Sequence, residues 1–384
     1  MSQTFDPNAI LFIHPSHPSM RRRRYLRRFR AWMRALALLI LLCLIYPAPA
    51  VSETLRLASY TAALERNAPG LLYRDILYGK SSQIRAALRL IATIKPDVLA
   101  LQRFDWDAEL RAARAFQSAL KAQGWEMQNL LAPRPNTGVA TGVDIDGNGQ
   151  IGGPGDAQSY GIFAGQRGLL LLSRLPFDVQ NSQDHSQVLW AEVPQTQSTD
   201  PPEIAKVQRL AYVAMLQTSI TWRQHPISLL TFHASPPVFD GPEDRNGRRN
   251  ADEIAYAAAL IDQLPTPFVL LANTNLDPFD GEGHNEVMRQ LLAHPKLQDP
   301  TPASPGGQAS ANPRHRGPAQ LDTVDWPDPR PGNLRANYIL PSRDFALHNG
   351  RVHWPTKDFP EPMEIRTDWS GRMSHFLDPI GPWG

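Results

Sequence analysis

Cysteine is nearly missing from this chain of 384 residues: Cys43 is the single one. One thiol excludes an intramolecular disulfide and any cysteine-built metal centre. Long hydrophobic runs are scarce too. The most apolar stretch, Ala35 to Tyr46, has about twelve residues where a membrane span needs roughly twenty. Nor does one sign of charge dominate, for the net charge is +2 and the arginines crowded between Arg21 and Arg34 supply it. The remainder is mildly acidic. Such a body gives no support for broad nucleic-acid binding, which rests on clustered Lys and Arg against phosphates, although a local basic site stays compatible. No internal repeat is found, which excludes a solenoid.

What is present begins with an address. The basic run, the short apolar stretch and then Ala48-Pro49-Ala50 follow the order of a signal peptide, with small residues where the peptidase pocket is narrow. The pattern predicts cleavage after Ala50 and export to the periplasm or beyond, with no cysteine and no membrane span left in the mature chain. An uncleaved N-terminal anchor is the alternative. Arg22-Arg23-Arg24-Tyr25-Leu26-Arg27 also resembles a twin-arginine export signal. Residues 1–19 are unlike an n-region and Met20 stands directly before the arginines, so Met20 is the expected start.

Beyond residue 51 the periodicity alternates between two kinds. Leu55 to Tyr60 reads as a strand, followed by a polar loop through Gly79. Ile84, Ala87, Leu88, Ile91 and Ile94 recur at helical spacing up to Pro96, and Asp97 to Gln102 is a continuous apolar run of buried-strand length. Asp107 to Gln123 is expected to be helical. Further strands are expected at Gly168–Ser173, Val188–Glu192, Leu210–Leu216, Ile227–Phe232, Phe268–Ala272 and Ala336–Leu340. Helices are expected at Asn250–Gln263 and Asn285–Leu292, and a long surface loop from Pro300 to Pro331. Helices set between many strands predict one α/β domain over residues 52–384.

One loop has metal-ligand spacing. Asp144, Asp146 and Asn148 place oxygens at positions 1, 3 and 5 of a calcium-type loop, with Gly149 at 6. Position 12 lacks an acid, and Asp156 falls one residue late. A tight hairpin of Asx turns and a weak calcium site both fit this pattern.

Several segments together resemble the endonuclease/exonuclease/phosphatase superfamily, in particular its exported bacterial members. Leu57-Ala58-Ser59-Tyr60-Thr61 resembles the first strand, and Asp97-Val98-Leu99-Ala100-Leu101-Gln102-Arg103 the second, which usually ends Leu-Gln-Glu. The stretch from His233 to Asn250 is the most distinctive. Leu271-Ala272-Asn273-Thr274-Asn275-Leu276-Asp277-Pro278 resembles the Gly-Asp-x-Asn-x-Asp-Pro motif. Asn333 to Ser342 resembles the strand that normally reads Arg-Val-Asp-Tyr, and Ser374-His375 stands where Asp-His closes the site.

The resemblance implies an α/β four-layer sandwich of two packed, mostly antiparallel β-sheets flanked by helices. It also implies phosphoester hydrolysis with Mg2+ or Mn2+, for which a hard cation takes carboxylate oxygens. Carried over residue by residue, the functional positions are altered. The first-strand Asn is Thr61, the metal-ligating Glu is Arg103, the water-activating Asp is Asn273, the histidine-orienting Asp is Asn337, and a further metal-associated Asp is Ser374. His233, Asn275 and His375 match. A guanidinium offers no lone pair and repels the cation whose ligand it replaces.

His233 and His375 read either as retained functional groups or as hydrogen-bonded structural histidines. Arg103 is expected to pair with Asp105 or Asp107, or to hold an anion in its bidentate fork. The leading expectation is a pseudoenzyme with no likely metal cofactor, binding a phosphorylated or other anionic ligand, or a protein partner. The alternative is an active metal-dependent phosphodiesterase, phosphatase or nuclease with shifted ligands, for which Asp105, Asp107, Asp277 and Asp378 are the nearest oxygens. A third reading is a calcium-stabilised interaction module built on the Asp144 loop.

Overall fold

The computed structural model describes residues 32–33, 54–327, 331–354 and 380–381. The chain divides at Ser52/Glu53 into two compact units, and the second, Glu53–Gly384, holds both main sheets. The signal-peptide expectation and residues Ser374, His375 and Asp378 lie outside the described residues. Among the described residues no helix is long and apolar enough to cross a membrane.

Two sheets carry the architecture. In the first, β1 (Leu57–Thr61) pairs in parallel with β2 (Val98–Phe104), which pairs antiparallel with β4 (Gly168–Ser173), and β3 (Asn129–Leu131) closes the edge. In the second the order is β11 (Asn337–Pro341), β8 (Phe268–Asn273), β7 (His225–His233), β6 (Met215–Trp222) and β5 (Gln183–Asp184), with only β7 and β8 parallel. Five helices cover the sheets or lead to them: α1 (Leu71–Tyr78), α2 (Ser82–Ile94), α3 (Arg111–Ala122), α5 (Arg245–Gln263) and α6 (Asn285–Leu292). A short α4 (Pro202–Ala205) precedes β6.

Period-two alternation explains the layering. Val98 and Ala100 of β2 face one way and join Leu57, Leu171, Leu229, Val269, Leu271 and Ile339 in an apolar cluster shared by both sheets. Leu99 and Leu101 face the other way, onto Ile84, Ala87, Ile91 and Phe116 of α2 and α3. In the second sheet Leu230, Phe232, Leu270 and Ala272 face Ile254, Ala257, Ile261 and Met288 of α5 and α6. Each central strand is buried on both sides, so its sequence is a continuous apolar run rather than an alternating one. The expected α/β sandwich of two mostly antiparallel sheets flanked by helices is therefore the observed fold.

Helix ends follow local chemistry. Ser81 accepts a hydrogen bond from the Ile84 amide to open α2, and Lys95 in the left-handed region closes it before Pro96. Asp107 accepts from the Arg111 and Ala112 amides, 2.9 Å each, at the start of α3.

Some elements differ from the sequence reading. Val188–Glu192 is not a strand: it makes a single antiparallel bridge, Leu189 to Arg209, and then enters a 3-10 turn, Trp190–Glu192, with Trp190 buried. Leu210–Ala214 lies outside the strand, which begins at Met215, although the Leu210 amide donates to the Val188 carbonyl at 2.9 Å. The loop before Gly79 contains α1, whose Leu72 and Ile76 pack into the core. The Pro300–Pro331 segment carries α7 (Pro305–Ala309), a 3-10 turn (Ala319–Leu321) and β9 (Val324–Asp325), which pairs with β10 (Asn333–Leu334). Its small and polar residues hid short elements whose Ala319, Asp322 and Thr323 are buried.

Candidate functional site

Strand register gathers the sequence-marked residues at one end of the sandwich. Thr61 ends β1 opposite Gln102, so Arg103 follows directly on the neighbouring strand. His233 ends β7 opposite Asn273, which ends β8, and Asn273 in turn lies opposite Asn337 at the start of β11. Five of the eight positions carried over from the family pattern, Thr61, Arg103, His233, Asn273 and Asn337, thus sit at strand ends of the two sheets. Asn275 follows two residues after β8.

Three of them form a neutral chain across the seam between sheets. Asn273 donates through Nδ2 to Thr61 Oγ1 at 3.1 Å, and Thr61 donates to Asn337 Oδ1 at 2.9 Å. Asn273 Oδ1 accepts from the Asn275 amide at 3.0 Å, and Asn275 Nδ2 donates to the Ala234 carbonyl at 2.8 Å. Asn275 holds φ at 49°, in the left-handed region that Asn tolerates better than most residues. Thr61, Asn273 and Asn337 are all buried.

Arg103 stands at a β-bulge, where the β2–β4 register shifts between Gln102 and Phe104 and φ is 58°. Its guanidinium pairs with Glu65. The expected partners were Asp105 and Asp107, and the structure corrects this. Asp105 accepts instead from the backbone amides of Arg66 (2.7 Å) and Arg167 (3.0 Å), and Asp107 opens α3. Arg167 lies immediately before β4, and its Nε is 3.7 Å from the same Glu65 oxygen. Asp105 therefore pins two loops and brings Glu65 and Arg167 together around Arg103. Burial raises the Asp105 carboxyl to about 6, against the downward pull of those two amides.

His233 is buried beside Arg167. Desolvation first, and the guanidinium second, push its imidazole down to about 3, so the ring is neutral at physiological pH. Its Nδ1 is buried and has no hydrogen-bond partner among the described residues. Buried Nε atoms of Arg103 and Arg167 and Oε2 of Glu65 share that condition. Burial pushes the Tyr212 hydroxyl up, and the neighbouring Arg167 guanidinium pulls it down.

The distinctive stretch from His233 to Asn250 has a structural account. Glu253 of α5 accepts from the Tyr212 amide (2.6 Å), the Ser235 amide (2.7 Å) and the Ser235 hydroxyl (2.7 Å). Asn250 donates to the Ser235 and Thr274 carbonyls at 2.6 and 2.7 Å, and Arg249 caps the Leu210 and Arg209 carbonyls. These buried side chains anchor the ends of β7 and β8 to one helix, which fixes His233 against Asn273.

Glu65, Arg167, Tyr212 and Glu253 were missed by the sequence reading. Arg167 had a signal, since it directly precedes a fully buried strand at the same end as Arg103. Glu253 had one too, as a charge on the apolar face of an amphipathic helix.

Of the other oxygens named for a shifted ligand set, Asp277 is engaged elsewhere. It accepts from the amides of Phe279, Asp280 and Arg335 at 2.6, 2.8 and 2.7 Å.

Away from the sandwich end, Asp144, Asp146 and Asp156 bring carboxylate oxygens within 4.8 Å of one another. Asp156, one residue late in the linear count, thus joins the first two ligands in space. Asn148 is engaged otherwise: its Oδ1 accepts from the Gln150 amide at 2.8 Å, and its own amide donates to Asp144 and Asp146.

The sequence model of the Endonuclease/Exonuclease/phosphatase family matches residues 77–370. No curated protein matches the chain. Among solved structures, an endonuclease/exonuclease/phosphatase from Beutenbergia cavernae DSM 12333 is 15% identical, the likeness covering 86% of this chain and 72% of that one at TM-score 0.49. Sphingomyelinase C from Streptomyces griseocarneus is 14% identical over 86% of this chain and 100% of that one, TM-score 0.42. A mannosyl-6-phosphatase from Bacteroides thetaiotaomicron VPI-5482 is 12% identical over 85% and 98%, TM-score 0.45. Likenesses at this level say nothing about substrate.

Proposed function

The chain belongs to the endonuclease/exonuclease/phosphatase family, and from that premise we propose that it is an exported member that binds an anion and does not hydrolyse phosphoesters. The observation that carries this reading is the pairing at the strand ends: the guanidiniums of Arg103 and Arg167 gather on one oxygen of Glu65. A divalent cation needs several anionic or carbonyl oxygens and repels fixed positive groups. Like charges about 4 Å apart cost several kcal/mol even at an effective dielectric near 20. Here Asp105 is held by backbone amides, and the oxygens of Thr61, Asn273 and Asn337 accept from one another or from Asn275. Among the described residues that donor set does not fit Mg2+ or Mn2+. Asn273 cannot take a proton from water at neutral pH, and a neutral His233 cannot give one as an imidazolium.

The forks of Arg103 and Arg167, which share one Glu65 oxygen while Asp105 is taken up by backbone amides, suit a phosphorylated or other oxyanionic ligand, free or carried on a protein partner. Export rests on the basic run, the apolar stretch and Ala48-Pro49-Ala50. The test is turnover of bis-p-nitrophenyl phosphate by the purified chain with Mg2+, Mn2+, Ca2+ and Zn2+ in turn. No turnover is expected; metal-dependent turnover abolished by His233→Ala would establish the active phosphoesterase instead.

The converging carboxylates of Asp144, Asp146 and Asp156 support a separate reading for their loop, a weak calcium site that stiffens the surface.

A further inference from the structure

We propose that Glu65 is a built-in competitor for the anion site, its carboxylate standing on Arg103 and Arg167 where the terminal oxygens of a phosphomonoester or inorganic phosphate would stand, and rotating away when either binds. This rests on the anion-binding reading above and adds to it the ligand class and its regulation.

Several donors around Glu65 are unfilled. Glu65 Oε1 is shared by Arg103 Nη2 and, at the longer distance of 3.7 Å, Arg167 Nε. Among the described residues the Nε atoms of both arginines nevertheless find no hydrogen-bond partner, nor does His233 Nδ1. Buried guanidinium N–H groups without acceptors are costly and mark a place where acceptor oxygens belong. A carboxylate brings two oxygens, and one of Glu65's is buried with no partner among the described residues. It is therefore a poor match for the donors around it. A phosphate terminus brings three oxygens and up to two charges, and suits a pair of arginine forks better. A diester leaves only two oxygens free and one charge, no better than Glu65 itself.

The backbone around Glu65 allows exchange without refolding. Asp105 holds the Arg66 amide at 2.7 Å, Gln166 Nε2 donates to the Arg66 carbonyl at 2.9 Å, and Asp75 holds the Arg66 guanidinium at 2.8 Å. The chain at residue 66 is thus fixed, and displacement requires only side-chain rotation of Glu65. Arg167, with a side chain 31% exposed, is the route by which an anion reaches the pair from solvent.

Calorimetric titration of the full chain with inorganic phosphate, phenyl phosphate and dimethyl phosphate tests this. Wild type is expected to bind the first two weakly, Glu65→Gln about tenfold tighter or more, and Arg167→Met not measurably, as removal of a like or opposite charge at contact distance dictates. Preference for phenyl phosphate over inorganic phosphate identifies the monoester as the source, and the reverse identifies the free ion. Should Glu65→Gln fail to fold, Glu65→Asp serves, because the shortened side chain keeps the charge but does not reach both guanidiniums. Wild-type binding with no tightening in a folded Glu65 variant overturns the competitor and leaves the anion site standing. Equal affinity for dimethyl phosphate overturns the ligand class. No binding by wild type or any variant overturns the anion site and the competitor together.

Discussion

Thr61 of the first sheet donates its hydroxyl proton to Asn337 of the second at 2.9 Å, across 276 positions of sequence. The same oxygen accepts from Asn273 at 3.1 Å. A side chain small enough to fit between two amides, and able both to donate and to accept, closes the seam with no charge. Thr61→Val keeps the shape and removes both bonds, leaving buried amide groups of Asn273 and Asn337 unpaired. A loss of about 2–3 kcal/mol is expected, from two buried polar groups left without partners. Urea unfolding measures it: Thr61→Ser, which keeps the hydroxyl, should retain most of the stability, and a Val variant as stable as wild type would show that the chain of bonds is not formed.

The fold was legible wherever burial writes itself into periodicity. Asp97 to Gln102 reads as a strand because both its faces are covered, as the observed Val98–Phe104 is, and Asn285–Leu292 as a helix because one face is. Val188 to Glu192 misled because four apolar residues in a row read as a buried strand, while the chain makes one bridge at Leu189 and then turns at a buried Trp190. For the site, motif order in the sequence located Arg103, His233, Asn273 and Asn337 but could not reveal their partners. Glu65 and Arg167 lie in loops whose proximity depends on the pairing of β1 with β2 and of β2 with β4, followed by the Asp105 clamp. No spacing rule relates positions 65, 103 and 167. The count that left Asp156 one residue late failed for the same reason, since loop closure rather than linear position brings its carboxylate to Asp144 and Asp146.

Restoring the acids tests the electrostatic argument directly. In Arg103→Glu with Asn273→Asp and Asn337→Asp, the positive group is removed and three carboxylates join Glu65 at the strand ends. Mn2+ binding, followed by electron paramagnetic resonance, should appear in this triple variant and be absent from the same place in wild type. The variant without metal should be destabilised by several kcal/mol through repulsion among buried carboxylates, and Mn2+ should recover part of that. Tight Mn2+ binding by the wild-type site, lost in Asn275→Ala, would contradict the proposed function.

Calcium should act on the Asp144 loop and nowhere near the strand ends. At a calcium concentration about ten times the dissociation constant, linkage gives roughly 1.4 kcal/mol of stabilisation, a rise of a few degrees in the melting temperature of a chain this size. Asp144→Asn and Asp156→Asn should each abolish the rise while leaving phosphate binding unchanged. An unaltered melting temperature at millimolar calcium identifies the loop as a hairpin of Asx turns, held by the Asn148, Gly149 and Gly152 amides on Asp144 and Asp156.

His233 supplies a pH signature of known sign. Its folded pKa, about 3, lies below the ordinary 6.5, so the unfolded chain takes up a proton first as the solution is acidified. Stability from this group is complete above pH 6.5 and is lost as pH falls toward 3; between pH 7 and pH 5 the loss is about 2 kcal/mol. Asp105 acts in the opposite direction, because its raised carboxyl, near 6, favours the folded state more strongly as protons are added. The two are separated by comparison with His233→Asn, which should lose about 2 kcal/mol less than wild type over the same interval. Imidazole resonances of His233 followed by NMR should show no titration from pH 8 to pH 5. A ring that titrates near 6.5 would mean that water and a counter-charge reach it, and with them the proton donor that a working phosphoesterase requires.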